Sequence, residues 1–490
     1  MELKNRRVLE VKDYKNRHKT SLYNAYDIVE NTYFGEMQDL SFKLPYYQYD
    51  GYGNAVTDDN GDKINNLSMP FVIAENLIKL DDYYYIIKKV TTIQHKDGNK
   101  ALNIDCLDKA SNLSKQNIAY LDLTPLEFNP VQINAAIINV LTIKHMILEG
   151  TATGGTANTV TLPATASATD DIYNTNKVAI LDGTGQGQDY RIIDYNGSTK
   201  VATIEGNFNI VPDTTSIIRV HKSKWTLGEV NTDFLETELG VAIKRTFLFE
   251  GKSITQCFIE IIERIGGYYT FNYEYSDVYD EFIHYINVVK PRLYDNTEFR
   301  YKKNLQGVER VIDSNETTYT VVYPYGDNDL TINNIATETR TDNGVTYNTH
   351  TNGLSYIENY QYYLSLDYTI DECRDLFFFD YEINDTMYVD DGDLYADAKA
   401  DLDKKSNPKI TYALSVIDLG RMTGYDYEVF EKGDTIKVYD DDLGLNFFAT
   451  IIKKPISENS PHKSEIEISN RRSTLSDYIV DIINVAANNR

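Results

Sequence analysis

The stretch 76-NLIKLDDYYYIIKKVTTIQHKDGNKALNIDCLD-108 decides the fold class. It contains two runs in which apolar and polar residues alternate, and a period of two is typical of half-buried strands. The runs meet at Lys96–Asn99, where Asp-Gly supplies the positive-φ residues that a tight hairpin turn needs. Because "RRVLEVKDY" and "LSFKLPYY" carry the same pattern, we expect a β-barrel or β-sandwich from residue 5 to about residue 123.

A helix is predicted after this strand region, in "TPLEFNPVQINAAIINVLT". Asn129 is a good N-cap, and Pro130 suits the first helical position. The apolar stripe of this helix consists of Val131, Ile133, Ile137, Ile138 and Leu141.

A second helix has stronger end signals. Ser253 can cap it, Gln256 is placed three residues on as the capping-box partner, and Gly266-Gly267 ends it. Its apolar face consists of Ile254, Cys257, Phe258, Ile261, Ile262 and Ile265. Since the strand "YYTFNYEY" follows, we expect a helix that packs on a small sheet.

The segment between the two helices differs in composition from its flanks. From about residue 150 to residue 220 it is rich in Thr, Ala, Gly, Asn and Asp, and short apolar runs alternate with turn residues. The predicted strands lie in "NTVTLP", "KVAILDG", "DYRIIDYNG", "TKVATIEG" and "TSIIRVH". This pattern predicts a small all-β module inserted into a host domain.

The C-terminal third mixes strands, loops and helices. "ETTYTVVYPYGDNDLTINN" reads as strand and loop, and a polar, tyrosine-rich passage continues to about residue 390. A charged helix in "DGDLYADAKADLDKKSN" runs up to Pro408, followed by the strand "KITYALSVIDLG". "GDTIKVYDDDLGLNFFATIIKKPI" and "KSEIEISN" predict strands around a turn, and "TLSDYIVDIINVAAN" predicts a closing helix.

The predicted fold class is therefore mainly β with α+β parts, divided among several domains. The expected domains are residues 1–124 (N-terminal β domain), 125–149 with 221–300 (an α+β domain split by the insertion), 150–220 (the inserted module), 301–400 (a mixed, tyrosine-rich domain) and 401–490 (C-terminal β part with the closing helix).

Composition narrows the function classes. The net charge is −26, from 74 acidic and 48 basic residues, so binding of a nucleic-acid backbone across a broad face is disfavoured. The 40 tyrosines fit half-buried strands with large subunit surfaces, and a tyrosine-lined sugar groove is the alternative. We expect Cys106, Cys257 and Cys373 to be buried small hydrophobes, and no stretch predicts a signal peptide or membrane helix.

The glycines Gly183, Gly185 and Gly187 raise the question of a phosphate-binding loop. Such a loop needs a following helix, and a P-loop also needs a lysine. Here a strand pattern follows, and the first lysine after these glycines is Lys200. We therefore expect a β-turn.

Metal and catalytic motifs are absent from the sequence. The histidines form neither HxH nor HExxH, and no GxSxG or cysteine-protease stretch occurs. Acidic clusters at Asp58, Asp170, Asp390 and Asp440 lack the closing bidentate acid of an EF-hand loop, so we expect solvated turns. No catalytic, cofactor-binding or metal-binding residue is predicted, and the expected cofactor set is empty.

Several segments occur in an order that is typical of one protein family. The first two are "VKDYKNRHKTSLYNAYDIVENTYFGEMQDLSFKLP" and "ENLIKLDDYYYIIKKV". The others are Trp225–Gly228, Phe249–Ser253 (which begins a helix in the family pattern), Asn304–Leu305 through Arg310 and Asp313, Tyr323–Gly326, Tyr356–Tyr360, "GDTIKVYDDDLGLNFFATIIKK" and "RRSTLSDYI". In this order the segments resemble the phage tail-tip proteins known as tail-associated lysins, minor tail proteins or prophage tail endopeptidases, whose opening the first two resemble.

This resemblance implies the baseplate-hub architecture. Each subunit would have two β-barrels like those of tail-tube proteins, and a homotrimer would form a ring that prolongs and closes the tail tube. The ring would dock on the distal tail protein, hold the end of the tape-measure protein and open for DNA ejection. The protein would be assembled in the cytoplasm of the host bacterium and reside at the virion tail tip, near receptor-binding or fibre proteins.

Two alternatives remain open. The inserted module at residues 150–220 resembles small β decorations of tail and fibre proteins, so it could bind host-surface glycans or act as a spacer. The second alternative, which the sequence favours less, is a cell-wall hydrolase or peptidase, because some relatives carry such an enzyme beyond this region. Since the sequence stops at Arg490 after the predicted closing helix, we expect no enzyme.

Overall fold

A computed structural model describes most of the chain. The described residues are 7–50, 52–94, 96, 99–123, 131–235, 244–245, 247–265, 267–313, 318–384, 388, 390–407, 409–419, 429–440, 445–457 and 463–469. They belong to two compact units: unit 1 within Met1–Gln306 and Ser415–Ile466, and unit 2 within Gly307–Leu414 and Glu467–Arg490. Short 3₁₀ helices lie at Met69–Phe71, Lys109–Lys115, Ile143–His145, Thr232–Phe234 and Asp327–Asp329.

The N-terminal region forms the predicted strands. They are β1 (Glu10–Lys12), β2 (His18–Ser21), β3 (Tyr26–Tyr33), β4 (Asp39–Pro45), β5 (Leu77–Leu80), β6 (Tyr83–Gln94), β7 (Lys100–Asp108) and β8 (Asn117–Asp122). Strands β1 to β7 pair in the order β2-β1-β5-β6-β7-β4-β3. The hairpin of β6 and β7 is confirmed, with Gln94 opposite Lys100; Asp97 and Gly98 lie outside the described residues.

The first helix begins later than its sequence predicts. Val131–Gln132 form β9, which pairs with residues 244–245, and helix α1 spans Ile133–Thr142. Its N-cap is Gln132, whose backbone is extended and whose side chain makes no capping bond. The predicted start at Pro130 is therefore wrong, because strand pairing takes Val131 out of the helix; Asn129 and Pro130 lie outside the described residues. The predicted residues Ile133, Ile137, Ile138 and Leu141 are buried.

The strands predicted between the helices are confirmed, within a seven-stranded antiparallel sheet that we call the inserted sheet. It consists of β10 (Met146–Thr151), β11 (Gly154–Gly155), β12 (Thr159–Thr161), β13 (Lys177–Asp182), β14 (Gln188–Asn196), β15 (Val201–Ile204) and β16 (Ile217–His221). Its own core includes Val178, Ile180, Ile192 and Ile218. Because β10 pairs with β16, the first and last strands of the segment lie side by side, so the chain enters and leaves the sheet at neighbouring strands.

The next elements of unit 1 surround the second predicted helix. They are β17 (Trp225–Val230), β18 (Lys244–Arg245), β19 (Leu248–Ser253), α2 (Ile254–Ile265), β20 (Tyr268–Ser276) and β21 (Glu281–Val289). The capping box is confirmed: the Ser253 N–H donates to Gln256 Oε1 (2.8 Å), and the Gln256 N–H donates to Ser253 Oγ (3.2 Å). The helix that the resemblance implies at Phe249–Ser253 is wrong for those residues, which form β19 on β8; the helix starts just after them.

Helices α1 and α2 pack against each other over a shared core that includes Ile137, Leu141, Phe258 and Ile261. The strands β17, β21 and β20 form a three-stranded sheet beside them. The expected combination of a helix and a small sheet is confirmed.

The following part of the chain crosses into unit 2. Its elements are β22 (Arg292–Arg300), β23 (Leu305–Asp313), β24 (Val321–Tyr325), β25 (Glu338–Asp342), β26 (Val345–His350), β27 (Ile357–Glu358), α3 (Gln361–Leu364), α4 (Ile370–Leu376), β28 (Asp380–Asn384), α5 (Asp391–Lys405) and β29 (Lys409–Ile417). The charged helix α5 is confirmed, whereas α3 and α4 were not predicted. In unit 2, β24 pairs with β27 and β28, and α5 packs against β24.

The C-terminal strands of unit 1 join the N-terminal ones. They are β30 (Asp434–Asp440) and β31 (Leu445–Ser457), followed by β32 (Lys463–Ser469). Strand β31 pairs antiparallel with both β30 and β3, and β22 runs parallel to β30. We call β1 to β7, β22, β30 and β31 the large sheet. The predicted closing helix lies outside the described residues.

The fold class is confirmed as mainly β with several sheets. Among the described residues no sheet closes on itself. The tube-like barrels implied by the resemblance therefore stay a prediction.

Candidate functional site

The glycine stretch is the loop of a hairpin, as predicted. Gly183, Gly185 and Gly187 have φ of 76°, 82° and 84°, and they connect β13 to the antiparallel β14. A Cβ at Gly187 would lie 2.0 Å from Nδ2 of Asn134, so the loop packs closely on the first turn of α1. A strand follows the loop, and the amide geometry of a phosphate-binding helix start does not arise there.

The described carboxylates of the acidic clusters accept hydrogen bonds from backbone N–H groups. Asp58 Oδ1 accepts from the N–H groups of Asn60 (2.9 Å) and Asp62 (3.0 Å). Asp390 caps α5, and Asp170 Oδ1 accepts from the Gly197 N–H at 2.7 Å. The side chain of Asp440 lies outside the described part. Within the described residues, no group of three or more histidine, cysteine or acidic side chains is close enough to hold a metal ion.

The three cysteines are buried and free, as predicted. Burial raises the pKa of the Cys257 thiol to about 12, which keeps this thiol protonated at neutral pH. In the part of the chain that is described, no helix is both long and apolar enough to cross a membrane.

A buried carboxylate of the large sheet, Asp108, lies in a group of neutral hydrogen-bond donors. Its Oδ1 accepts from the Ala110 N–H at 2.8 Å and from the hydroxyl of Tyr273. Its Oδ2 accepts from the hydroxyl of Tyr83 at 2.5 Å. Burial raises the pKa of Asp108 above its usual value even though these donors favour the charged form. We call Tyr83, Asp108, Ala110 and Tyr273 the tyrosine cluster.

The neighbour of Asp108 along the chain, Lys109, carries a half-buried amino group. Its Nζ lies 2.9 Å from the ring centroid of Phe282, a cation–π geometry. Burial lowers the pKa of Lys109 to about 6. Where the large sheet meets the three-stranded sheet, burial thus favours the uncharged forms of both Asp108 and Lys109.

A second buried group lies in the inserted sheet. His221 and Asp189 pair through Nε2 and Oδ1 at 3.0 Å, and the Lys177 ammonium lies 3.9 Å from Asp189 Oδ2. His221 Nδ1 accepts from the Ser223 N–H, so the imidazole proton is on Nε2 and points at Asp189. Burial alone would raise the pKa of Asp189, but His221 and Lys177 hold it below its usual value. We call Lys177, Asp189 and His221 the ionic cluster.

A cavity of about 610 Å³ opens beside the ionic cluster, and we call it the basal cavity. It is bounded by residues 172–177, by the link 221–224 from β16 to β17, and by the tip of the β20–β21 hairpin. Arg191 of β14 reaches into it and pairs with Glu281 at 2.7 Å. The strand periodicity does not show that these side chains lie close together. The sequence signal for the site was the presence of charged residues inside otherwise apolar strands, as in "KVAILD" and "IIRVH".

Part of the chain matches a known protein family. Residues 293–479 match the family described as prophage endopeptidase tail. The resemblance to phage tail proteins is confirmed. The matched prophage tail segment is shorter than half of the chain, and it includes the resemblance segments at Tyr323–Gly326 and Tyr356–Tyr360.

Solved phage tail proteins are also similar to the chain. The prophage tail protein gp18 from Listeria monocytogenes EGD-e is 12% identical, with 98% of this chain and 99% of that chain covered and a TM-score of 0.46. The 43 kDa tail protein of prophage MuSo2 from Shewanella oneidensis is 8% identical, with 95% and 98% covered and a TM-score of 0.45. The tail protein from Neisseria meningitidis MC58 is 9% identical, with 95% and 97% covered and a TM-score of 0.45. No curated protein matches the chain.

Proposed function

We propose that this protein is a structural hub of the phage tail tip. In this proposal three copies form a ring that prolongs and closes the tail tube, docks on the distal tail protein and retains the tape-measure protein until DNA ejection. The family match at residues 293–479 supports a role in the tail. The ring itself is argued from the strand pairing of unit 1.

The observation that carries the ring is the pairing of β3 with β31. It joins the strands of residues 10–108 edge to edge with those of residues 434–457, from Val29 opposite Ser457 to Tyr33 opposite Lys453. The bond from Thr32 Oγ1 to the Lys454 carbonyl (2.8 Å) spans 422 positions of sequence. One chain thus contains two β systems joined edge to edge.

The outer edge of the large sheet at β2 is available for the same kind of contact. Among the described strands, β2 pairs only with β1. The Leu22 N–H donates to the Leu9 carbonyl (2.8 Å), so the N–H of the preceding Ser21 faces away from β1. An unpaired strand edge is a template for pairing with another chain, and head-to-tail pairing of unlike edges generates a ring when the rotation between subunits closes.

The proposal assigns no enzymatic step to the chain. Although the matching family is described as an endopeptidase tail, the three thiols are buried, and the carboxylates of Asp58 and Asp170 are engaged by backbone N–H groups. The net charge of −26 suits a protein through which DNA passes, because a negatively charged surface repels the negatively charged DNA backbone. Incubation with peptidoglycan at several pH values should release no fragments, and their release would contradict this part of the proposal.

The ring is tested by light scattering and negative-stain imaging of the full chain. We expect trimers and rings; only monomers at every concentration would exclude the hub. Ser21→Pro removes the outward N–H and should yield folded monomers, whereas the matched control Ser21→Ala should still form trimers. Trimers of Ser21→Pro would show that another edge makes the contact.

A further inference from the structure

We propose that the basal cavity binds a saccharide unit that carries a phosphate or carboxylate group. This inference concerns a site of unit 1 separate from the strand edge that carries the ring, and it does not depend on the ring. It rests on the charge of the cavity, its rigid wall, its unused polar atoms and its apolar rim.

The cavity is locally basic in an acidic protein. Four cationic side chains line it: Lys177, Arg191, Lys222 and Lys224. Two carboxylates oppose them, Glu281 in the lining and Asp189 beneath Lys177. Burial lowers the pKa of Lys224, and Arg191 and Lys177 lower it further, which is the response to a positive local potential.

The accessible charge is at the mouth of the cavity. The Lys224 side chain is 55% exposed even though it pairs with Glu281, and Lys222 is exposed as well. Lys177 lies deeper, where it donates to the Trp225 carbonyl (3.3 Å) and to the Thr226 hydroxyl. An anion that enters the cavity would therefore contact the exposed ammonium groups of Lys222 and Lys224 first, and the buried ammonium group of Lys177 behind them.

The wall of the cavity is held in place by Arg191. The guanidinium donates to Glu281 Oε1 (2.7 Å) and to the Thr175 carbonyl (2.9 Å), and it stacks 3.8 Å from the centroid of the Tyr279 ring. Thr175 has a φ of 68°, which is costly for a β-branched residue. Arg191 thus fixes a strained loop of the inserted sheet against the β20–β21 hairpin, so the site is preorganised.

The polar and apolar atoms around the charge fit a sugar better than a bare anion. Asn174 Oδ1 is buried and has no hydrogen-bond partner among the described residues, so it can accept from a ligand hydroxyl. Asn176 and Ser223 also line the cavity. Val278 (84% exposed) and Ile172 (50% exposed) are at its edge, where apolar side chains can contact the C–H face of a sugar ring.

The size of the cavity agrees with this ligand class. A volume of about 610 Å³ falls in the range of small-molecule sites and accommodates one or two sugar rings. An extended polyanion would have to cross a surface whose net charge is strongly negative, so the ligand is a short segment recognised locally.

Binding is tested by calorimetry on the full chain with four probes: glucose 6-phosphate, glucuronate, glucose and inorganic phosphate. We expect one or both charged sugars to bind, glucose and phosphate alone to bind more weakly, and affinity to fall as salt is added. The fluorescence of Trp225, whose carbonyl accepts from Lys177, should change with the same midpoint. If phosphate binds as tightly as the charged sugars, the cavity is an unspecific anion site and the proposal is wrong.

Variants separate the charge from the sugar contact. Lys222→Ala combined with Lys224→Ala should weaken binding of charged sugars by about 5- to 30-fold and leaves Glu281 paired with Arg191. Asn174→Ala should weaken the charged sugars by about 2- to 10-fold and leave phosphate unchanged.

Lys115→Ala is the matched control, because Lys115 is an exposed lysine of unit 1 that does not line the cavity. Circular dichroism should show that all variants are folded. Unaltered binding of charged sugars by the double lysine variant would overturn the proposal, and so would a loss of equal size in the control.

Discussion

Asp108 of the tyrosine cluster and Asp189 of the ionic cluster are both buried, yet their pKa values are shifted in opposite directions. Hydroxyl and amide donors bond to Asp108, and the Lys432 ammonium attracts its charged form, but together they do not offset the cost of burying that charge. A lysine and a histidine adjoin Asp189, and their interaction exceeds that cost. The comparison teaches that the sign of a buried carboxylate's pKa shift depends on whether its attraction to neighbouring charges and hydrogen-bond donors exceeds the cost of burial.

The single tryptophan lies between the two clusters and can report on both. The Trp225 ring lies 6.4 Å from the ring of Tyr273, which bonds to Asp108. Its carbonyl accepts from Lys177 of the ionic cluster. Since the sequence contains one tryptophan, its fluorescence is a local probe for variants of either carboxylate.

The largest effect is expected for Asp189→Asn. The change leaves the buried Lys177 without its compensating charge, and loss of one partner of a buried pair costs about 3–5 kcal/mol of unfolding free energy. Urea denaturation followed by Trp225 fluorescence measures it. Asp194→Asn is the control, because Asp194 is an exposed residue of the same strand and should change stability by less than about 0.5 kcal/mol.

A smaller loss is expected for Asp108→Asn. The amide nitrogen cannot accept hydrogen bonds, so one oxygen's donors lose their partner, at a cost of about 1–3 kcal/mol. The exposed Asp105 of β7 supplies the control Asp105→Asn. If Asp108→Asn costs as much as Asp189→Asn, the distinction between a carboxylate bonded by neutral donors and one paired with a buried lysine is wrong.

The pH dependence should have opposite signs for the two residues. Asp189 has a lowered pKa, so its stabilisation is present above the unfolded value near 3.8 and is lost as pH falls below it. Asp108 has a raised pKa, so its contribution is largest at low pH and declines as pH rises through its folded pKa. The stability differences between wild type and each asparagine variant, measured between about pH 3 and 7, should therefore change in opposite directions.

Much of the local structure could be predicted from the sequence. The capping box of Ser253 and Gln256, the β6–β7 hairpin and the strands of the inserted sheet depend on residues close in sequence, and all are confirmed. The signal for α4 was also present, because Thr369 and Glu372 form a capping box that the tyrosine-rich composition obscured.

Pairings between segments that are distant in sequence could not be predicted. The start of α1 was wrong because residues 244–245 pair with Val131–Gln132, and no periodicity shows such a partner. The same holds for β3 with β31 and for the ionic cluster, whose members come from three strands. Side chains become a site only when the register of those strands is known.

The smallest effect should come from one donor of the tyrosine cluster. Tyr273→Phe removes the hydroxyl that bonds to Asp108, while the Ala110 N–H keeps its bond to Asp108 Oδ1, so the loss should be about 1 kcal/mol. The control is Tyr275→Phe, two positions on, whose exposed hydroxyl bonds to Asp280 and should contribute less than about 0.5 kcal/mol. The removal also takes away a donor that favours the charged form, so the stability of Tyr273→Phe should fall more steeply with rising pH than that of wild type. An unchanged pH profile would mean that burial alone sets the shift of Asp108, and that its hydroxyl neighbours act only through packing.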